Sequence, residues 1–388
     1  MKRYVILIPF HNPWDWHTDY ANQTARILAR SHIVVCMLWG DTVSFWEILR
    51  GARSYRPVTR TGNLIKIQPI FLVPGKRFFL SQLINAGLTL PFVFLIVTAI
   101  SFITKRERLF WFFGFYDPVF LLLPPFFRSW KTVYDCVDIA THPSHALRRR
   151  IEASERSLLG YAWIVVTNSG TLATRLRTFR PDVRIVPLGF RIEMFHTPLP
   201  APIVRTRRPL IGYSGSIDYR VNLSLLYRLV RGNPRWDFGL FGPVFHDHLT
   251  GHKKALILRI LRQPNVTHGN LETENLAATL AACDAFIIPY DTDMPLAKYA
   301  FPMKIMEYWY AKKPVISTRI TELERYPRFV RFASTSRNFT QAIRDALLHP
   351  APRTLRAAQM LATKHTWQRK VVAIMNIMRR YETTDRKT

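Results

Sequence analysis

Residues 298–318 read KYAFPMKIMEYWYAKKPVIST. Pro302 suits the first turn of a helix, where no amide donor is needed. The helix expected here runs through Ala311, ends at Lys312 and Lys313, and gives way to a short buried strand, PVIST. The same helix-to-strand step recurs on both sides. Upstream, PLIGYSGS (209–216) reads as a strand closed by a Gly/Ser turn, VNLSLLYRLVRGNP as a helix, WDFGLFGP as a strand, TENLAATLAACD as a helix and AFIIPY as a strand. Nearer the start, YVILIPF, IVVCMLW, KTVYDCVD, WIVVTNS and VRIVPLG are apolar runs, and DYANQTARILARS, ALRRRIEASERSLLGYA and GTLATRLRTF have helical spacing. Short buried strands alternating with amphipathic helices mean βαβ units and parallel sheets. The fold class is therefore α/β.

A chain of 388 residues exceeds one ordinary core, so two domains are expected. The Pro-rich, aperiodic stretch 196–209 reads as the linker between a domain at 1–195 and another at 210–345, with C-terminal helices at 346–388. Three well-separated cysteines form no CxxC pair, which argues against a disulfide framework and against structural zinc. MKRYVILIPFHNPWD reads as a first strand rather than a signal peptide. A formal charge of +29 attracts polyanions: nucleic acid, anionic lipid or phosphate-bearing substrates. Residues 78–104 carry no charge and are flanked by Lys76, Arg77, Lys105 and Arg106. About 20 apolar residues suffice to span a bilayer. A crossing here would put parts of one sheet in two compartments, and Asn85, Gly87 and Pro91 interrupt the run. An element lying in the membrane interface fits better, with a core helix as the alternative.

Two features carry chemistry. In IGYSGSIDYR, Gly215 lets the backbone approach a ligand, and the amides around Ser216 can meet a phosphate. Lys304 and Glu307 stand at i and i+3 near a helix start. There a pyrophosphate would meet an ammonium and a helix dipole, and a carboxylate could hold ribose hydroxyls. An i,i+3 surface ion pair is the bland reading of the same two residues.

VYDCVD, VVTNSGTLATRL, VRIVPLGFRIEMF, IGYSGSID, NVTHGNLETENLAATLAACDAFIIPY and PMKIMEYWYAKKPVIST, in this order, resemble the group 1, retaining-type bacterial glycosyltransferases of the GT-B fold. The resemblance extends over nearly the whole chain, and P-x-K-x-x-E-Y with A-x-K-P-V-I-S-T is its most specific part. It implies two Rossmann-like domains with parallel sheets facing a central cleft, the final helix crossing back to the first domain. It also implies a metal-independent hexosyltransferase without cofactor, its donor a nucleotide diphosphate sugar. Glu307 would hold the ribose, Lys304 with Gly215 and Ser216 the diphosphate, and the NVTHGN loop, His268 and Gly269, would border the base. The acceptor would be a glycan or lipid-linked, and the enzyme cytoplasmic, peripheral on the anionic inner face of the membrane. No specific nucleic-acid partner is expected.

The chain departs from the pattern at two points. Relatives carry a second glutamate eight positions before the first, where this chain has Tyr299, so Lys298 or Asp293 would have to substitute. The usual P-N-G-V is PLGF at 187–190. On the acceptor side Asp138 is the first candidate for general base; Asp135, His142, His11 and Asp15 are others, with His17 and Asp19 beside Trp14 and Trp16 as an acceptor-side rim. A nucleotide-sugar epimerase on the same fold and a non-catalytic polyanion binder are the alternatives.

Overall fold

YVILIPF at Tyr4–Phe10 is buried at all seven positions, as a strand covered on both faces must be. The computed structural model describes residues 2–14, 20–51, 55–73, 79–115, 118–139, 144–196, 208–269 and 273–384. The chain divides into two units: Met1–Pro187 with Trp367–Thr388, and Leu188–Thr366. The boundary thus falls ahead of the Pro-rich stretch, most of which lies outside the described residues.

In the first unit Tyr4–Phe10 lies between Ile33–Leu38 and Glu107–Phe112. The sheet continues through Lys131–Cys136 and Ile164–Thr167 to Arg184–Ile185 on one side. On the other it ends in an antiparallel hairpin, Leu64–Ile67 with Val58–Thr61. All other pairings are parallel. VRIVPLG yields only the two-residue edge strand, both residues exposed.

The last helix, Trp367–Thr384, packs on the helix Tyr20–Leu28 of this unit. Its Lys370 ammonium reaches the Asp135 carboxylate at 2.8 Å, with both side chains buried. Asp135 is thus occupied in a structural ion pair, and burial pushes its carboxyl pKa up against the pull of Lys370.

The apolar segment is one helix, Phe79–Thr104. Its inner face is mostly small or polar: Ser81, Asn85, Ala86 and Thr89, then Leu90, Val93 and Val97, all buried. Asn85 accepts from the amide of Leu72 at 2.8 Å and returns a bond to Val73 carbonyl at 3.1 Å. Of its most apolar stretch 28% is buried. Leu80, Ile84, Leu88, Phe92, Leu95, Phe102 and Ile103 face outward.

In the second unit six parallel strands run in the order Val266–Gly269, Asp237–Phe241, Leu210–Ser214, Ala285–Ile288, Val315–Ser317, Val330–Phe332. Strand order reverses between Leu210–Ser214 and Ala285–Ile288. In open parallel sheets ligands bind at the carboxyl ends of the strands beside such a reversal.

Candidate functional site

Both turns at that reversal are tied together. Tyr290 bridges Val221, Asn222 amide donates to Pro289 carbonyl at 2.8 Å, and Asp291 amide to Arg220 carbonyl at 2.7 Å. The loop 215–222 is thereby held against the end of Ala285–Ile288. Beneath it, the helix Lys304–Tyr310 is fixed through Tyr308. Its hydroxyl receives the Ser214 amide at 2.8 Å, and its ring stacks on Phe286 at 3.9 Å and 7°.

Lys304 projects toward the Gly215 turn. Its ammonium lies 3.8 Å from the Tyr213 ring centroid and 5.5 Å from that of Tyr290. A Cβ on Gly215 would stand 2.7 Å from Lys304 Nζ, and Gly215 has φ +113°, so this close approach requires glycine. No carboxylate forms an ion pair with Lys304 among the described residues. Burial, reinforced by Arg220, lowers the Lys304 pKa to about 7. Glu307, one turn on, has no side-chain partner among the described residues, and burial raises its pKa to about 7 against the pull of Lys304. The two are therefore not a solvated surface ion pair. They are half-buried groups held short of full charge, a condition an anionic, hydroxyl-bearing ligand would relieve.

The turn's own amides are mostly committed. Gly215 N–H donates to Phe241 carbonyl at 2.7 Å and Ile217 N–H to Pro243 carbonyl at 2.9 Å. Among the expected amides only that of Ser216 has no backbone partner among the described residues. Gly215 acts by lacking a side chain, not by donating. The helix also starts later than its sequence suggests. Ile305 and Met306 close i→i+3 turns onto Pro302 and Met303, so Lys304 is the first residue of a seven-residue helix. So short a helix offers little macrodipole, and the Lys304 side chain carries the charge.

NVTHGN is not a loop: Val266–Gly269 is the edge strand. The exposed His268 ring contacts Gly242 carbonyl at 3.0 Å, and Gly269 carbonyl accepts from Gly242 N–H at 2.9 Å. Gly242, at φ +145°, is the joint missing from the sequence reading. A Cβ there would meet Gly215 carbonyl oxygen at 2.5 Å, so it lets the strand ends of Gly215 and Gly269 close on each other. Arg220 was also missed. It grips buried Asp218 with Nη2–Oδ2 at 2.6 Å and stands 6.0 Å over the Tyr290 ring. Lys298 and Asp293, the substitutes for the second glutamate, are exposed.

On the first unit, Asp138 is half-buried two residues beyond Lys131–Cys136, and its carbonyl accepts from Cys136 Sγ at 3.5 Å. His11 follows the strand Tyr4–Phe10 at this unit's own reversal, and burial depresses its pKa to about 4, so its ring is neutral at pH 7. His17, Asp19, Asp15, Trp16 and His142 lie outside the described residues.

Solved structures share this fold. Sucrose-phosphate synthase from Thermosynechococcus elongatus superposes with TM-score 0.74 at 15% identity, covering 99% of this chain and 100% of its own. The catalytic domain of starch synthase IV from Arabidopsis thaliana, bound to ADP and acarbose, does so with TM-score 0.62 at 12% identity, covering 98% and 99%. The fold is GT-B, two parallel-sheet α/β units. Residues 220–376, which include Arg220, Lys304 and Glu307, match the family model described as glycosyl transferase-like. TuaH of Bacillus subtilis (strain 168), named as a teichuronic acid biosynthesis glycosyltransferase, is 26% identical over 220 residues, 52% of this chain and 54% of its own length. The match thus spans about half the length of that curated relative. The family match over residues 220–376 and the shared fold together support a group 1 glycosyltransferase of the GT-B fold.

Proposed function

We propose that this protein is a glycosyltransferase that moves a hexosyl group from a nucleoside diphosphate sugar to a glycan or lipid-linked acceptor. The observation that carries the reading is the Lys304 ammonium on the Tyr213 ring, in space that Gly215 keeps open, with Glu307 one turn away. An ADP-bound starch synthase of the same fold supports a nucleotide diphosphate as the ligand class.

In this reading Lys304 and Arg220 face the diphosphate, the Ser216 amide adds a donor, and Glu307 takes the ribose hydroxyls. His268 and Gly269 border the base. As the glycosidic bond breaks, negative charge grows on the leaving diphosphate. Cations already in place stabilise that charge most where water is excluded. Two side-chain cations supply the compensation, so the reading requires no metal. The sugar carbon becomes oxocarbenium-like, and Asp138 of the first unit takes the acceptor proton. The outward face of Phe79–Thr104 holds the enzyme at the cytoplasmic surface of the membrane, where a lipid-linked acceptor resides.

The test is transfer itself. Labelled UDP-, GDP- and ADP-sugars are incubated with the protein and a bacterial lipid extract. Label from one donor is expected to enter the lipid or polymer fraction. Conversion of the donor into an epimeric nucleotide sugar without any acceptor would instead make the protein an epimerase.

A further inference from the structure

The apolar surface of the first unit does not stop at the helix Phe79–Thr104. Val43–Ser44 and Ile70–Phe71 pair in parallel with Ser44 opposite Phe71, so the chain leaves both strands at one end, into Phe45 and Leu72. Both are exposed, at 37% and 43%. The helix Phe45–Leu49 buries none of its residues, and it exposes 50% of Trp46 and 61% of Leu49. Leu72 in turn gives its amide to Asn85, which is one residue from exposed Ile84 and three from exposed Leu88 on the long helix. The apolar surface therefore continues from Leu49 and Trp46 through Phe45 and Leu72 onto the long helix.

We infer that Phe45–Leu49 is a second membrane contact, which enters the headgroup layer of an anionic bilayer together with the long helix. This rests on the membrane reading above and adds both the element and the lipid charge. Charge selects the occupant. Residues 42–62 hold four arginines, at 50, 53, 56 and 60, against one acid, Glu47. Glu47 is turned inward to cap its own helix, accepting the Ser44 amide at 2.8 Å. Arg50 and Arg56 are exposed and have no ion-pair partner among the described residues. An amphipathic Trp at an interface flanked by unpaired arginines is what anionic headgroups attract. The reciprocal cap of Ser44 and Glu47 keeps the short helix formed before it inserts, so little ordering entropy opposes binding.

Vesicle flotation tests this, with phosphatidylcholine alone or with about 30% phosphatidylglycerol as an anionic surface. The parent should float with the anionic vesicles. The variant Trp46→Ser/Leu49→Ser should bind about tenfold more weakly at an unchanged melting temperature, since neither side chain is buried. Trp46→Phe should retain most binding, and Arg50→Gln/Arg56→Gln should weaken binding to anionic vesicles alone. If the parent floats and Trp46→Ser/Leu49→Ser floats equally, the second contact is refuted while the membrane reading survives. If the parent floats as well on neutral vesicles, the anionic occupant is refuted. A parent that floats on neither refutes both.

Discussion

At the scale of single residues, the site depends on two groups whose pKa values converge near pH 7. Lys304 is lowered to about 7 and Glu307 raised to about 7, burial being the larger cause for each. A diphosphate favours protonated Lys304, so affinity should fall as pH rises above 7. Ribose binding favours ionised Glu307, so affinity should fall as pH drops below 7. Titration of ADP or UDP between pH 5 and 9 should therefore give a bell with its maximum near 7, each limb approaching about tenfold per pH unit. Glu307→Gln should flatten the acid limb and Lys304→Arg the alkaline one. A flat parent profile would remove these groups from contact with the nucleotide. Lys304 and Glu307 were legible because their spacing is local. Arg220 and Gly242 were not: an arginine gripping Asp218 two residues away reads as any surface pair. Gly242 matters only because Gly215 comes against it from another strand.

At the scale of elements, the helix beneath the site ends in a strained cap. Lys312 adopts φ +55°, Lys312 N–H returns to Trp309 carbonyl at 3.0 Å, and Lys313 N–H returns to Tyr308 carbonyl at 3.1 Å. This is the helix end that glycine fills without steric cost. Lys312→Gly should stabilise the second unit by about 0.5–1 kcal/mol. Chemical denaturation measures it, and a lower midpoint would show that the lysine side chain contributes more than its backbone costs. The buried strands were legible from apolar runs, and Tyr4–Phe10 follows its run residue for residue. Edge strands were not. Val266–Gly269 and Val58–Thr61 are largely exposed, so their sequences carry no buried run, and tertiary pairing alone makes them strands. The long helix was legible as apolar. Its polar docking through Asn85 was not, because an asparagine inside such a run reads as an interruption.

At the scale of the molecule, the final helix returns to the first unit and, besides hydrogen bonds such as Tyr381 to Asp182, makes a buried ion pair with it, Lys370 to Asp135. Replacing Lys370 with Met leaves the Asp135 carboxylate alone in the core, and should destabilise that unit by about 3–5 kcal/mol. Lys370→Met/Asp135→Asn should regain most of it, because no uncompensated charge then remains. Calorimetric unfolding of the three proteins decides, and equal destabilisation in the double variant would show that packing rather than charge is at stake. The charge of +29 was legible at once, but its meaning was not, because basic residues serve phosphate ligands and lipid surfaces alike. The central claim is that the second unit seats a nucleoside diphosphate sugar at Lys304 and Glu307. Thermal unfolding in a panel of nucleotide sugars tests it most directly, since a ligand of the native state raises the midpoint by mass action. At least one donor should shift the parent and leave Glu307→Ala unshifted. A parent that responds to no donor, or a Glu307→Ala variant that responds as the parent does, would contradict it.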